Sequence, residues 1–145
     1  MINIIIINWN SGDYVKRCLR SIFGKDNISL IRRVYVIDNN SSDLSISDIP
    51  AYEKLEIIRN KSNVGFAKAV NQGFRASTAP YVLLLSPDTQ LLNNTLNCLL
   101  TSSLSNDSRL PVLQEESCSL ICNVVDKSPD HYRWHCYSGT SSFMG

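Results

Sequence analysis

The sequence predicts an α/β domain built on a mostly parallel sheet flanked by helices. Three observations carry that reading. The chain opens on an apolar, β-branched run from Ile2 to Ile7, interrupted only by Asn3, the pattern of a strand covered on both faces. Strand-like and helix-like segments then alternate, as in βαβ units with right-handed crossovers. Three of the strand-like segments end in polar clusters, at the place where open α/β sheets bind ligands.

Each element follows from its pattern. "INIIIIN" is the first strand, broken by Asn8, Trp9, Asn10, Ser11 and Gly12. In "DYVKRCLRSIF", Tyr14, Val15, Cys18, Leu19, Ile22 and Phe23 form one helical stripe. Ser11 or Asp13 is placed to cap that helix, and Gly24 to end it. "RRVYVID" is a second strand, stopped by "NNSSD", and "KLEIIRN" is a third. "NVGFAKAVNQGFRAS" reads as a second helix with Phe66, Val70 and Phe74 on one face. "YVLLL" is a fourth strand, and "NNTLNCLLTSSL" a third helix with Leu96, Leu99, Leu100 and Leu104 inward. "SLICNVV" reads as a later strand. The polar stretch 105–117 fits no single pattern, and the residues from Asp126 on carry no clear assignment.

Bulk properties narrow the class. A chain of 145 residues fits one domain, spanning 1–145. A formal net charge of +1, with scattered charges, argues against a nucleic-acid partner. Cys18, Cys98, Cys118, Cys122 and Cys136 are odd in number and irregularly spaced. With no signal-peptide pattern before them, they suggest free thiols in a reducing cytoplasmic setting. No stretch reaches the roughly 18 apolar residues of a membrane span.

The chemistry is expected at the strand exits. The first leads into Asn8, Trp9 and Asn10, the second into Asp38, Asn39 and Asn40, and the fourth into Ser86, Pro87 and Asp88. Asn, Asp and Ser are also ordinary turn formers, and Asp43 is read as a turn or cap. Asp38 fits a turn and a ligand equally. Pro87 fixes the backbone before Asp88, whose carboxylate suits a cation, although a capping role stays open. Trp9 suits either a partly buried core position or stacking on a nucleobase.

Four ordered stretches, "IIIINWNSGDYVKRCLRSI", "VYVIDNNSSD", "IRNKSNVGFAKAVNQGFRAS" and "YVLLLSPDTQLL", resemble the family 2 glycosyltransferases of the GT-A, Rossmann-like fold. Within that family they look like the rhamnosyltransferase-like branch. The resemblance covers nearly the whole chain and matches the nucleotide-binding half of the family domain. It implies a nucleoside-diphosphate-sugar donor, dTDP- or UDP-linked, with dTDP-rhamnose a candidate. It implies a glycan or lipid-linked acceptor in surface polysaccharide or O-antigen assembly. The full-length enzyme would then be cytoplasmic, with peripheral association at the inner face of the plasma membrane.

The same resemblance assigns roles. Trp9 occupies the aromatic position that packs on the base, and Asp38 the acidic residue that accepts from the pyrimidine ring. Asn63 and Gly65 match the loop opening the second helix, with Lys68 and Asn71 following along the cleft. Ser86, Pro87 and Asp88 match a metal motif often written Asp-x-Asp or Asn-Pro-Asp, with Asp88 as the ligand of Mg²⁺ or Mn²⁺. Serine at the first position of that motif is a departure. Asn8, Asn10 and Asn40 complete the implied nucleotide-contacting set. The family's general base lies in a later half, so the resemblance places it beyond Gly145 and leaves the catalytic residue unassigned. This chain then reads as a C-terminally truncated donor half that binds donor and transfers sugar poorly.

Two other readings stand beside this one. A nucleotide-binding fragment without catalysis keeps the fold. A zinc module would use Cys118, Cys122, His131 and His135, spaced C-x3-C-x8-H-x3-H. "CSLIC" also fits an apolar strand, where buried cysteines are common.

Overall fold

The computed structural model describes the backbone of residues 1–24, 27–104, 121–128 and 131–138, and the side chains of residues 1–24 and 27–101. Strands β1 (Ile2–Asn8), β2 (Ile31–Asp38), β3 (Leu55–Arg59) and β4 (Tyr81–Leu85) alternate with helices α1 (Tyr14–Ile22) and α2 (Phe66–Ala76). Helix α3 (Thr95–Leu104) and strands β5 (Ile121–Ser128) and β6 (His131–Ser138) follow. The sheet order is β3-β2-β1-β4-β5-β6. The pairs β1–β2, β1–β4 and β2–β3 are parallel. The pairs β4–β5 and β5–β6 are antiparallel. The expected central β1 between β2 and β4 is therefore present. The strand read in "SLICNVV" is β5. β6 completes the antiparallel edge, which the sequence pattern left unassigned.

Alternation along β1 explains why isoleucines stand at both odd and even positions of the strand. Ile2, Ile4 and Ile6 pack with Val15, Cys18, Leu19 and Ile22 of α1 and with Leu96 and Leu99 of α3. Ile5 and Ile7 pack with Ala69 and Val70 of α2 on the other face. A strand with helices on both sides has no solvent face, so period-two polarity disappears. Each of these buried isoleucines contributes roughly 1.5–3 kcal/mol of transfer free energy. Asn3 is the exception in the run. It is fully buried, and its amide donates to Ser77 Oγ at 2.8 Å.

Several local expectations are corrected. Neither Ser11 nor Asp13 caps α1 through its side chain, although Asp13 holds the cap position. The Ser11 hydroxyl is instead used by Asn8. Phe23, not Gly24, closes the helix, donating its N–H to Leu19 O. Phe66 is 63% exposed, whereas the buried face of α2 is Ala69, Val70 and Gly73. Phe66 stands in the first turn of α2, where helical side chains lean toward the N-terminus. Tyr14, first residue of α1, is likewise 57% exposed. Leu96 and Leu99 point inward as expected, and Leu100 is half-buried. The Leu104 side chain lies outside the described residues. No helix among the described residues is long and apolar enough to cross a membrane.

Candidate nucleotide site at the carboxyl edge of the sheet

Because β1 to β4 are parallel, their carboxyl ends share one edge. Asn8 sits opposite Asp38 in the β1–β2 register, and Ile6 opposite Leu85 in the β1–β4 register. Strands lie about 4.8 Å apart, so the exits of β2 and β4 stand roughly 10 Å from each other across β1.

At the β1–β2 exits a polar knot forms inside the protein. Asn8 is fully buried and Asp38 is 3% exposed. Asp38 Oδ1 accepts from Asn8 Nδ2 at 2.8 Å and from Ser41 Oγ at 2.6 Å. Asp38 Oδ2 accepts the Ser41 N–H at 3.3 Å. The Asn8 amide also donates to Ser45 Oγ at 2.8 Å and lies 3.1 Å from Ser41 Oγ. Ser11 Oγ donates to Asn8 Oδ1, which fixes the amide with its NH₂ toward Asp38. Burying a carboxylate requires such partners. Trp9, next in sequence, turns outward and is 58% exposed. Its face is therefore available to a planar ligand, and the reading as a core aromatic is set aside.

The exposed loops beside the knot are stitched to one another. Asn10 adopts a left-handed φ of 50°. Its Oδ1 accepts from Ser42 N at 2.8 Å and Asp43 N at 3.3 Å, and its N–H donates to Ser41 Oγ at 2.9 Å. Asp43 Oδ2 accepts the Gly12 N–H at 2.8 Å, and Oδ1 the Ser45 N–H at 3.1 Å. Asp43 is thus a loop fastener, as the turn reading expected. Hydrogen bonding from Ser45, then from Gly12, holds its carboxyl below the usual carboxylate range. A depressed folded-state pKa gives stability that is present above the unfolded pKa and lost as pH falls through the folded one. The Gly12 amide resonance should therefore titrate with a midpoint below that of an ordinary aspartate, and Asp43→Asn should abolish the titration. A midpoint at or above the ordinary value would contradict this.

A second cluster, of which the sequence reading singled out Asn39 and Asn63 but not Asn60 and Gln72, ties β2 to α2. Asn39 is 3% exposed. It donates to Asn63 Oδ1 at 3.0 Å and accepts from Asn60 Nδ2 at 3.1 Å and Val64 N at 3.2 Å. Asn60 and Gln72 exchange two amide hydrogen bonds, at 2.9 and 2.8 Å. Asn63 Oδ1 also accepts the Gly65 N–H at 2.9 Å, and Gly65 has φ 84°, where a side chain would be strained. The signal lay in the four amides Asn39, Asn60, Asn63 and Gln72, which look like turn and surface residues one at a time. Asn40, with φ 62°, stays exposed. Lys68 and Asn71 stand on the exposed side of α2.

At the β4 exit, Thr89 N–H bonds Ser86 O at 3.1 Å. Pro87 thus occupies the second position of a turn, which its fixed φ favours, and Asp88 the exposed third. Cys18 of α1 lies beneath, its Sγ 3.9 Å from Ser86 O. The zinc quartet does not assemble in this way. In the β5–β6 register His131 faces Ser128 and His135 faces Val124. His131 is therefore six ladder positions from Cys122, roughly 20 Å at the strand rise. Cys118 lies outside the described residues.

The sequence comparison decides the family: the model of Glycosyl transferase family 2 matches residues 3–113. This chain belongs to glycosyl transferase family 2. An uncharacterized glycosyltransferase of Haemophilus influenzae is 26% identical over 133 residues, covering 83% of this chain and 40% of that protein. Among solved structures, residues 1–349 of S. aureus TarS in complex with UDP-GlcNAc superpose with a TM-score of 0.62 at 22% identity, covering 69% of this chain and 30% of that one. The mannosyltransferase PcManGT of Pyrobaculum calidifontis, in complex with GDP-Man and Mn²⁺, gives a TM-score of 0.58 at 21% identity, covering 68% and 31%. At these identities the structures establish the shared GT-A fold. The family 2 chain described here spans less than half the length of each of these relatives.

Proposed function

We propose that the carboxyl edge of the sheet binds a nucleoside-diphosphate sugar, for transfer of the sugar to a glycan or lipid-linked acceptor. The carrying observation is the buried Asp38 carboxylate, held by Asn8 and Ser41 beside the outward-turned Trp9. Asp38 accepts a ring N–H of the base, and Trp9 packs on the ring face. Asn63, Gly65, Lys68 and Asn71 flank the diphosphate side. Relatives with UDP-GlcNAc and GDP-Man bound support a nucleotide-sugar donor, and the motif resemblance supports dTDP-rhamnose as the sugar source. Surface polysaccharide synthesis is the setting that resemblance suggests.

A divalent ion fits on limited terms. Among the described residues no group of three or more His, Cys, Asp or Glu side chains gathers. Mg²⁺ and Mn²⁺ are commonly held by one or two carboxylates together with substrate phosphates. Asp88, exposed on its turn with Ser86 beside it, suits that form. The Mn²⁺ of the mannosyltransferase complex supports it. Such an ion would offset charge on a leaving nucleoside diphosphate.

Calorimetric titration with UDP, dTDP and GDP, with and without Mn²⁺, tests the reading, and sugar transfer is assayed separately. Failure of every nucleotide to bind would remove it. Binding without turnover would leave a donor-binding module. Mn²⁺ should tighten diphosphate binding, and Asp88→Asn should abolish most of that gain while leaving the metal-free affinity near the parent's. An undiminished Mn²⁺ effect in Asp88→Asn would exclude Asp88 as the ligand.

A further inference from the structure

The hydrogen bonds of Asp38 leave its two oxygens unequal. A carboxylate oxygen accepts about two hydrogen bonds. Oδ1 already has two, from Asn8 Nδ2 and Ser41 Oγ. Oδ2 has one long contact, the Ser41 N–H at 3.3 Å. With the residue 3% exposed, the bonds from Asn8 and Ser41 hold the carboxylate in this orientation. Ser11 on the far side of Asn8 keeps the amide NH₂ aimed at Oδ1.

We propose that Asp38 reads its base through Oδ2 alone, and that Asn8 and Ser41, by filling Oδ1, are the positioning residues that select a base with one ring N–H over guanine. The inference rests on Asp38 being the base reader. Uracil and thymine present a single N–H between two carbonyls. Guanine presents two adjacent donors, the ring N–H and the exocyclic amine, which match a carboxylate with both oxygens open. Against a half-filled carboxylate one guanine donor is left unpaired in a desolvated site. An unpaired buried donor weakens binding by roughly tenfold or more. Asn8 and Ser41 thus act through Asp38 and need not touch the nucleotide.

The test compares dissociation constants for UDP and GDP on the 145-residue chain and its variants, without metal. The parent should bind UDP at least about tenfold tighter than GDP. Ser41→Ala, which opens one position on Oδ1, should bring the two within about threefold, chiefly by tightening GDP. Asn8→Ala should do the same if it folds, and Ser41→Ala carries the test if it does not. Ser77→Ala serves as a control. It breaks a comparable buried Asn–Ser bond at the opposite end of β1, so it lowers melting temperature while keeping the parental GDP-to-UDP ratio. If Ser41→Ala keeps the parental ratio, or the parent binds GDP as well as UDP, the selection mechanism is wrong. If UDP binding also survives Asp38→Ala, the base-reading assignment itself has failed. If UDP binds and only Asp38→Ala loses it, the assignment stands without the selection.

Discussion

Replacing Asp38 by alanine should weaken binding of a pyrimidine nucleoside diphosphate by about 1–3 kcal/mol, and should lower the melting temperature as well. Both losses have the same origin. The carboxylate accepts from Asn8 and Ser41 in the interior, and removing it leaves the Ser41 hydroxyl and the base N–H without that acceptor, while the Asn8 amide keeps Ser45 Oγ. An unsatisfied buried donor costs about 1–3 kcal/mol. Asp38→Asn is the sharper variant, since it keeps the shape and replaces one acceptor oxygen with a donor facing donors. Isothermal titration and thermal melting on the same samples separate the two effects. Parental nucleotide affinity in a folded Asp38→Ala protein would remove Asp38 from the site.

Gly73→Ala should destabilise the domain by about 1–3 kcal/mol, against the usual gain of up to about 1 kcal/mol for replacing glycine within a helix. A Cβ on Gly73 would stand 2.7 Å from Ile5 Cγ2 and 2.9 Å from Ile5 Cδ1. Ile5 is fully buried in the middle of β1, and its branched side chain has few alternative rotamers. Helix α2 therefore has to lift from the sheet. Ile5→Ala alone should cost about 2–5 kcal/mol through the cavity it leaves. In the Gly73→Ala background that cost should shrink, because the new methyl occupies part of the space. Chemical denaturation of the two single variants and the double variant measures the coupling. Additive losses would show that the close approach carries no strain. Since Gly65 is the N-cap of α2, lifting the helix also moves the loop held by Asn39 and Asn63.

Much of the architecture was legible because periodicity reports burial. The isoleucine run of β1 requires covers on both faces, and the paired apolar steps of α1 supply one of them. The exits after Asn8, Asp38 and Leu85 were legible because turn-forming residues follow each strand abruptly. Less was legible where spacing had to stand in for position. Phe66 and Val70 share a helical face, yet Val70 is buried and Phe66, in the first turn, is exposed. Cys122, His131 and His135 have ligand-like spacing, but an extended hairpin carries His131 far from Cys122.

The sequence by itself determined the element order from β1 to β5, the parallel core around β1 and the edge at which polar residues gather. These follow from local propensity and from apolar periodicity. Only the tertiary structure decided which of those polar residues are buried and bonded to one another. Asn8 and Asp38 are 30 positions apart, and Asn39 and Asn63 are 24 apart. Their neighbours in sequence, Trp9 and Asn40, face solvent. Whether an asparagine is a turn former, a clamp or a ligand depends on which donors and acceptors the sheet register sets beside it. That register is fixed by the packing of the apolar faces, so no polar cluster carries its own answer in its spacing.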